Sequence, residues 1–177
     1  VDVHAPDNIE LGADGALWFV NTSTGTIGRV TTSGAFTTIT DPAIGSPYAL
    51  AAGPNGAMWF ASRSPDRIGF ITGAGAITTF PVTQRPGRIV AGTSEMFFTT
   101  DTAIGRITTG GAVTYTTSIV PEDAQSLPVV QANPIDLAVP GNGFVWFLTA
   151  ANQIGLVNQS LSSAGVSRPF PANAWWT

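Results

Sequence analysis

The chain has 177 residues, enough for one domain with a sizeable core, and only 10% of them are charged, against about 25% in an average soluble domain. Its net charge is −4 and all seven basic residues are arginine, so there is no basic patch of the kind that holds a nucleic-acid backbone. Cysteine is absent, which excludes disulfides, zinc–thiolate sites and thiol nucleophiles, and no apolar run approaches the roughly 18 residues of a membrane helix.

Hydrophobic residues make up 44%, and 20 glycines and 13 prolines interrupt them at short intervals. Thr, whose β-branch fits a pleated surface, supplies much of the polarity. No long stretch has a 3.6-residue apolar stripe, so the composition predicts an all-β chain of short strands and tight turns.

The chain opens at Val1 without a methionine, as expected of a processed chain or a piece of a longer one. A first unit follows Pro6. It runs through Gly12-Ala-Asp-Gly-Ala-Leu-Trp18-Phe19, then Ile27-Gly28-Arg29-Val30, then Gly34-Ala-Phe-Thr-Thr-Ile39. A second unit repeats the pattern as Gly53-Pro-Asn-Gly-Ala-Met-Trp59-Phe60, Ile68-Gly69-Phe70-Ile71 and Gly75-Ala-Ile-Thr-Thr-Phe80. The third has Gly92 to Phe97-Phe98, Ile104-Gly105-Arg106-Ile107 and Gly111 to Tyr115. The fourth has Gly141 to Trp146-Phe147, Ile154-Gly155-Leu156-Val157 and Gly165 to Phe170.

The aromatic pairs stand 41, 38 and 49 residues apart, and a period near forty with four short strands per unit is the signature of a β-propeller blade. The expected fold is therefore a single β-propeller domain over 1–177, with four-stranded antiparallel blades at about 6–46, 47–85, 86–131 and 132–171 and a tail at 172–177. The first strand of each blade, such as Tyr48 to Ala52, should be innermost. The turns Asp14-Gly15, Asn55-Gly56 and Asn142-Gly143 supply the φ > 0 positions of a hairpin. Neighbours on a strand face opposite sides, so the two rings of each pair should pack on different neighbouring blades. The glycine of Ile-Gly should let a ring lie close to the backbone.

Two arrangements of the whole stay open: a closed four-blade ring, or a partial ring completed by another chain. Val1 to Pro6 reads as an extra outer strand that either clasps the fourth blade or belongs to a blade supplied from elsewhere. Val166 to Phe170 already provides the fourth blade with an outer strand.

In such a fold the turns between first and second and between third and fourth strands share one face. Here they are short and glycine-rich. The opposite face carries the longer loops and most of the charge, so the candidate binding residues are Asp41, Arg63, Asp66, Arg67, Arg85, Arg88 and Asp101. Asp41, Asp66 and Asp101 match no known cation loop, and no metal or cofactor site is assigned. Arg29 and Arg106, at equivalent places in the third strands, are expected to link blades. Trp175 and Trp176 lie outside the repeat and are candidates for contact with a protein partner. The 119–133 insertion, with Glu122-Asp123 and three aliphatic residues, is a further candidate partner lobe. Asn21-Thr-Ser and Asn158-Gln-Ser match the glycosylation pattern.

The run Gly-Pro-Asn-Gly-Ala-Met-Trp-Phe followed by Arg-Ile-Gly-Phe-Ile-Thr resembles the blades of the streptogramin (virginiamycin B) lyase family, and the resemblance extends through all four units. It implies a seven-bladed ring that opens a cyclic depsipeptide by elimination, with a histidine base and a magnesium ion held by acidic residues. The position after Trp-Phe-x, often Glu in such blades, is here Asn21, Ser62, Thr100 and Thr149. The only histidine, His4, precedes the first blade motif. General acid–base catalysis needs a positioned group of suitable pKa, and no His/Glu pair offers one.

The sequence therefore favours a non-catalytic binding or structural module that self-associates or binds a protein partner, extracellular or part of a surface assembly such as a virion. It assigns no catalytic residue and leaves open whether the ligand is a small molecule or a glycan. The alternative is a streptogramin-type lyase or another metal-assisted enzyme acting at the pore.

Overall fold

The computed structural model describes residues 3, 6–116, 119–121, 133–150, 154–161 and 165–168. Its strands form four sheets. The first joins β1 (Pro6–Leu11), β2 (Leu17–Asn21), β3 (Thr26–Val30) and β4 (Phe36–Ile39) in chain order, and the second joins β5 (Pro47–Ala52), β6 (Met58–Arg63), β7 (Asp66–Ile71) and β8 (Ile77–Pro81). The third consists of β9 (Pro86–Ala91), β10 (Glu95–Thr100), β11 (Ile104–Thr108) and β12 (Val113–Tyr115). The fourth takes β14 (Pro134–Ala138), β15 (Phe144–Thr149), β16 (Ile154–Asn158) and β17 (Gly165–Arg168), with β13 (Ile119–Pro121) at its edge. These are the blades of a β-propeller. Among the described residues there is no helix long and apolar enough to cross a membrane.

Within each blade the strands are antiparallel, and the repeat fixes the register. Phe19 stands opposite Gly28, Phe60 opposite Gly69, Phe98 opposite Gly105 and Phe147 opposite Gly155. In every case a Cβ on the glycine would overlap the ring, so the Ile-Gly step is a seat for the second aromatic. The first aromatic has its own seat: the Trp18 and Trp59 indoles lie against Gly12 and Gly53 in the turns that precede them. Those turns need positive φ at Gly15 (73°) and Gly56 (72°), as expected of Asx-Gly hairpins. Their Asx side chains also satisfy the buried indole N–H groups. Trp18 Nε1 donates to Asp14 Oδ1 and Trp59 Nε1 to Asn55 Oδ1, each at 3.2 Å.

The two rings of a pair point to opposite neighbours. Trp18 and Val20 join Leu50, Met58, Phe60 and Ile71 in the core between the first and second blades. Trp59 and Ala61 join Ile89, Met96, Phe98 and Ile107 between the second and third. Phe97 joins Leu137, Val145, Phe147 and Val157 between the third and fourth. The first aromatic thus faces the following blade and the second faces the preceding one. Ala49 and Ala51 lie buried in the second of these interfaces, where their small side chains let adjacent first strands approach.

Four details sharpen or correct the sequence reading. The fifth strand of the fourth sheet is β13, which comes from the 119–133 insertion and runs parallel to β17, while Val1, Asp2, His4 and Ala5 of the expected extra strand lie outside the described residues. Arg29 does not reach another blade; it pairs with Asp14 of its own (Nη2–Oδ2 2.7 Å), while Arg106 does bridge blades by donating to the Gln159 carbonyl oxygen (3.4 Å). Asn21 is fully buried with its amide donating to Thr26 Oγ1 (3.2 Å), which removes it as a glycosylation acceptor. Finally, the outer faces of the first and fourth blades do not cover one another. Trp59 is fully buried, whereas Trp146, at the same place in the repeat, is 38% exposed. The described residues therefore form a partial ring and not a closed one.

Candidate functional site

The loop face opposite the glycine-rich turns carries a polar cavity of about 110 Å³ where the second, third and fourth blades converge. Arg63, at the end of β6, and Tyr48, in β5, come from the second blade. Arg85, Arg88, Thr99, Thr100 and Asp101 come from the third blade and its entry, and the start of β14, with Asn133 before it, closes the far side at Asn133 to Ile135.

Arg63 is held on two sides. Its Nε donates to the Pro86 carbonyl oxygen at 2.9 Å, and its guanidinium carbon lies 3.2 Å from the centroid of the Tyr48 ring. Arg88 approaches the same ring at 5.8 Å. An aromatic face attracts guanidinium charge and orders it without neutralising it. Among the described residues neither Arg85 nor Arg88 is in an ion pair; the only ion pair found is Asp14–Arg29, on the other face. Three guanidinium groups and one carboxylate therefore line a small cavity, an arrangement that favours an anion.

Four of the seven candidate residues, Arg63, Arg85, Arg88 and Asp101, meet in this cavity. The other three do not. Asp41 Oδ1 accepts from Ala43 N (2.7 Å) and Arg67 Nη1 donates to the Ala43 carbonyl oxygen (2.8 Å), so both fix the turn leading into the second blade. Asp66 stands opposite Arg63 at the start of β7. Tyr48 went unrecognised because it belongs to a strand that the sequence marks as packing; its one signal is a phenol in a run of alanines. Trp175, Trp176, His4, Glu122 and Asp123 lie outside the described residues.

The fit of a magnesium site can be tested on donor chemistry. Asn21, Ser62, Thr100 and Thr149, at the positions after Trp-Phe-x, are all buried. The Asn21 amide donates to Thr26, and Thr100 Oγ1 donates to Gln84 Oε1 (2.7 Å). They offer amide and hydroxyl groups where a hard cation favours carboxylates. Among the described residues no three His, Cys, Asp or Glu side chains gather as a metal site requires. The described side chains do not fit that ion.

The fold and the loop-face cavity define the chain as a β-propeller with a polar site near its axis. The model of the virginiamycin B lyase family matches residues 2–167, and the chain belongs to that family. Its structure is similar to a catalytically inactive histidine-to-alanine variant of virginiamycin B lyase from Staphylococcus aureus with quinupristin, at 27% identity and a TM-score of 0.80 over 94% of this chain and 56% of that one. It is similar also to selenomethionine-substituted virginiamycin B lyase from the same organism (28% identity, TM-score 0.79, 93% and 55% of the two chains). A streptogramin B lyase structure gives 30% identity and a TM-score of 0.75 over 89% and 52%. The chain thus spans about half the length of these lyases. None of the curated proteins compared with it matches.

Proposed function

We propose that this chain is a non-catalytic binding module of the virginiamycin B lyase family, taking a carboxylate- or phosphate-bearing ligand on its loop face. The observation that carries this reading is the convergence of Arg63, Arg85 and Arg88 on one cavity, with Asp101 as the single carboxylate among its lining residues. A guanidinium matches two oxygens of such a group at once, and Arg63 is already oriented by Tyr48 and the Pro86 carbonyl. The Thr-rich, lysine-free surface supports an extracellular or surface-exposed setting.

Calorimetric titration of the chain with inorganic phosphate and with acetate tests the reading. Binding of at least one, weakened about tenfold or more when Arg85 and Arg88 are replaced by alanine, is expected from the loss of charge-assisted hydrogen bonds worth about 1.5–3 kcal/mol each. Absence of binding, or binding indifferent to these replacements, would overturn it.

Family membership supports a second reading, a lyase of the streptogramin type. The similar lyase with quinupristin is inactive as a histidine-to-alanine variant. In this chain the one histidine precedes the first blade, and fold likeness does not carry activity when site residues differ. Ring opening of quinupristin by the chain, followed by mass spectrometry, would establish the lyase and reject the non-catalytic module.

A further inference from the structure

Opposite charges border the loop-face cavity without pairing. No guanidinium nitrogen of Arg63, Arg85 or Arg88 lies within 4.0 Å of the Asp101 carboxylate, although all four side chains line the same space of about 110 Å³. The Arg85 and Asp101 side chains, both exposed, have no hydrogen-bond or ionic partner among the described residues.

The separation is built into the segments that carry the charges. Asp101 sits at the tip of the tight turn between β10 and β11, which the Thr100 amide closes by donating to the Ala103 carbonyl oxygen (2.9 Å). Gln84 immediately precedes Arg85. Its Oε1 accepts from Thr100 Oγ1 (2.7 Å) and from Thr102 Oγ1 (3.2 Å), the residues on either side of Asp101. The Arg88 amide donates to Thr99 Oγ1 (2.9 Å), which fixes β9 to β10 just before that turn. Neutral groups therefore tie the Arg85, Arg88 and Asp101 segments together and leave the charges themselves unspent. A simple anion would satisfy the arginines and come to rest beside an uncompensated carboxylate, and like charges set side by side cost affinity. A ligand with a cationic group next to its anionic one meets both signs at once.

Resting on the anion-binding reading of this same cavity, we propose that its ligand is a free α-amino acid, with the carboxylate on Arg85 and Arg88 and the ammonium group on Asp101. The cavity volume is roughly four times the ~30 Å³ that one water occupies in the liquid, so only a handful of heavy atoms enter. The two charges of the ligand must then be joined by a short link, and an α-amino carboxylate has a single carbon between them. In a peptide the same two groups belong to opposite ends and do not enter together.

Glycine and propionate have the same number of heavy atoms and differ by an ammonium group in place of a methyl. In calorimetric titrations at neutral pH, glycine should bind about tenfold more tightly than propionate, the equivalent of one charge-assisted hydrogen bond. Asp101→Asn should weaken glycine and strengthen propionate, because it removes the partner of one and the repulsion on the other. A change that merely disturbed the fold would weaken both. Arginine-dependent binding of phosphate or propionate, with glycine no tighter than propionate, overturns the amino-acid assignment and leaves the anion site standing. Glycine and propionate weakened alike by Asp101→Asn overturns the assignment as well. Absence of binding by glycine, propionate and phosphate overturns the anion site itself, and the assignment with it.

Discussion

Phe60 and Gly69 stand opposite each other on β6 and β7, with the phenyl ring seated on the glycine where a Cβ would overlap it. The seat is confined on its other side by the Thr78 carbonyl oxygen, 2.9 Å from where that Cβ would lie. Gly69→Ala should therefore push the ring off its rotamer into the packed core between the first two blades. Overpacking of this kind costs about 1–3 kcal/mol, measurable as a lower urea midpoint at unchanged slope.

The neighbouring tryptophan seat gives a contrasting expectation. Asn55→Ala leaves Trp59 Nε1, inside a fully buried side chain, without its acceptor. An unsatisfied buried donor costs about 1–3 kcal/mol, and Asn55→Asp, which keeps the acceptor, should retain most of the stability in thermal melts.

Asp14 makes the same bond to Trp18 but is ionised. Burial raises its pKa, and the hydrogen bonds from Arg29, Trp18 and the Ala16 amide, with the Arg29 charge, outweigh that and hold it below the usual carboxylate value. A depressed folded pKa contributes stability above the unfolded pKa and loses it as pH falls through the folded value. Asp14→Asn, which copies the amide that the second blade already uses at Asn55, should cost less than about 1 kcal/mol at neutral pH, because the pair is near the surface. The gap between wild type and variant should close as thermal melts are carried below the ordinary carboxylate range.

At the loop face, Arg63→Lys tests whether orientation matters as well as charge. A lysine keeps the charge but loses the planar stack on Tyr48 and the Nε bond to Pro86. Phosphate affinity should fall by about tenfold, the equivalent of one charge-assisted bond, with the fold intact by circular dichroism.

Ionic strength provides the last check. An anion held by guanidinium groups in an open cavity should bind more weakly as sodium chloride rises, since screening shortens the reach of charge to about 10 Å at 0.1 M. Affinity unchanged across a salt series would count against the arginine site.

The blade itself was legible in the sequence because its causes are local. Asx-Gly turns, alternation on a strand and a glycine opposite a ring each act within a few residues, and repetition shows them four times. The charged loops were legible as a face, since strand parity alone assigns every loop to one side. Which of their residues meet was not. Arg85 and Asp101 lie in different loops, and Tyr48 comes from another blade; only the packing of the first strands around an axis brings them to one cavity. Asp41 and Arg67 looked equivalent to them in sequence but are taken up by the Ala43 turn.

The same division holds for the ends of the arc. From the sequence alone come four blades and two rings per blade that must face opposite ways, because successive residues on a strand do so. Tertiary structure decided that the first and fourth blades do not cover each other, leaving Trp146 exposed where Trp59 is buried. Ring closure depends on the angle accumulated between successive sheets, and that angle is set by how side chains pack between blades.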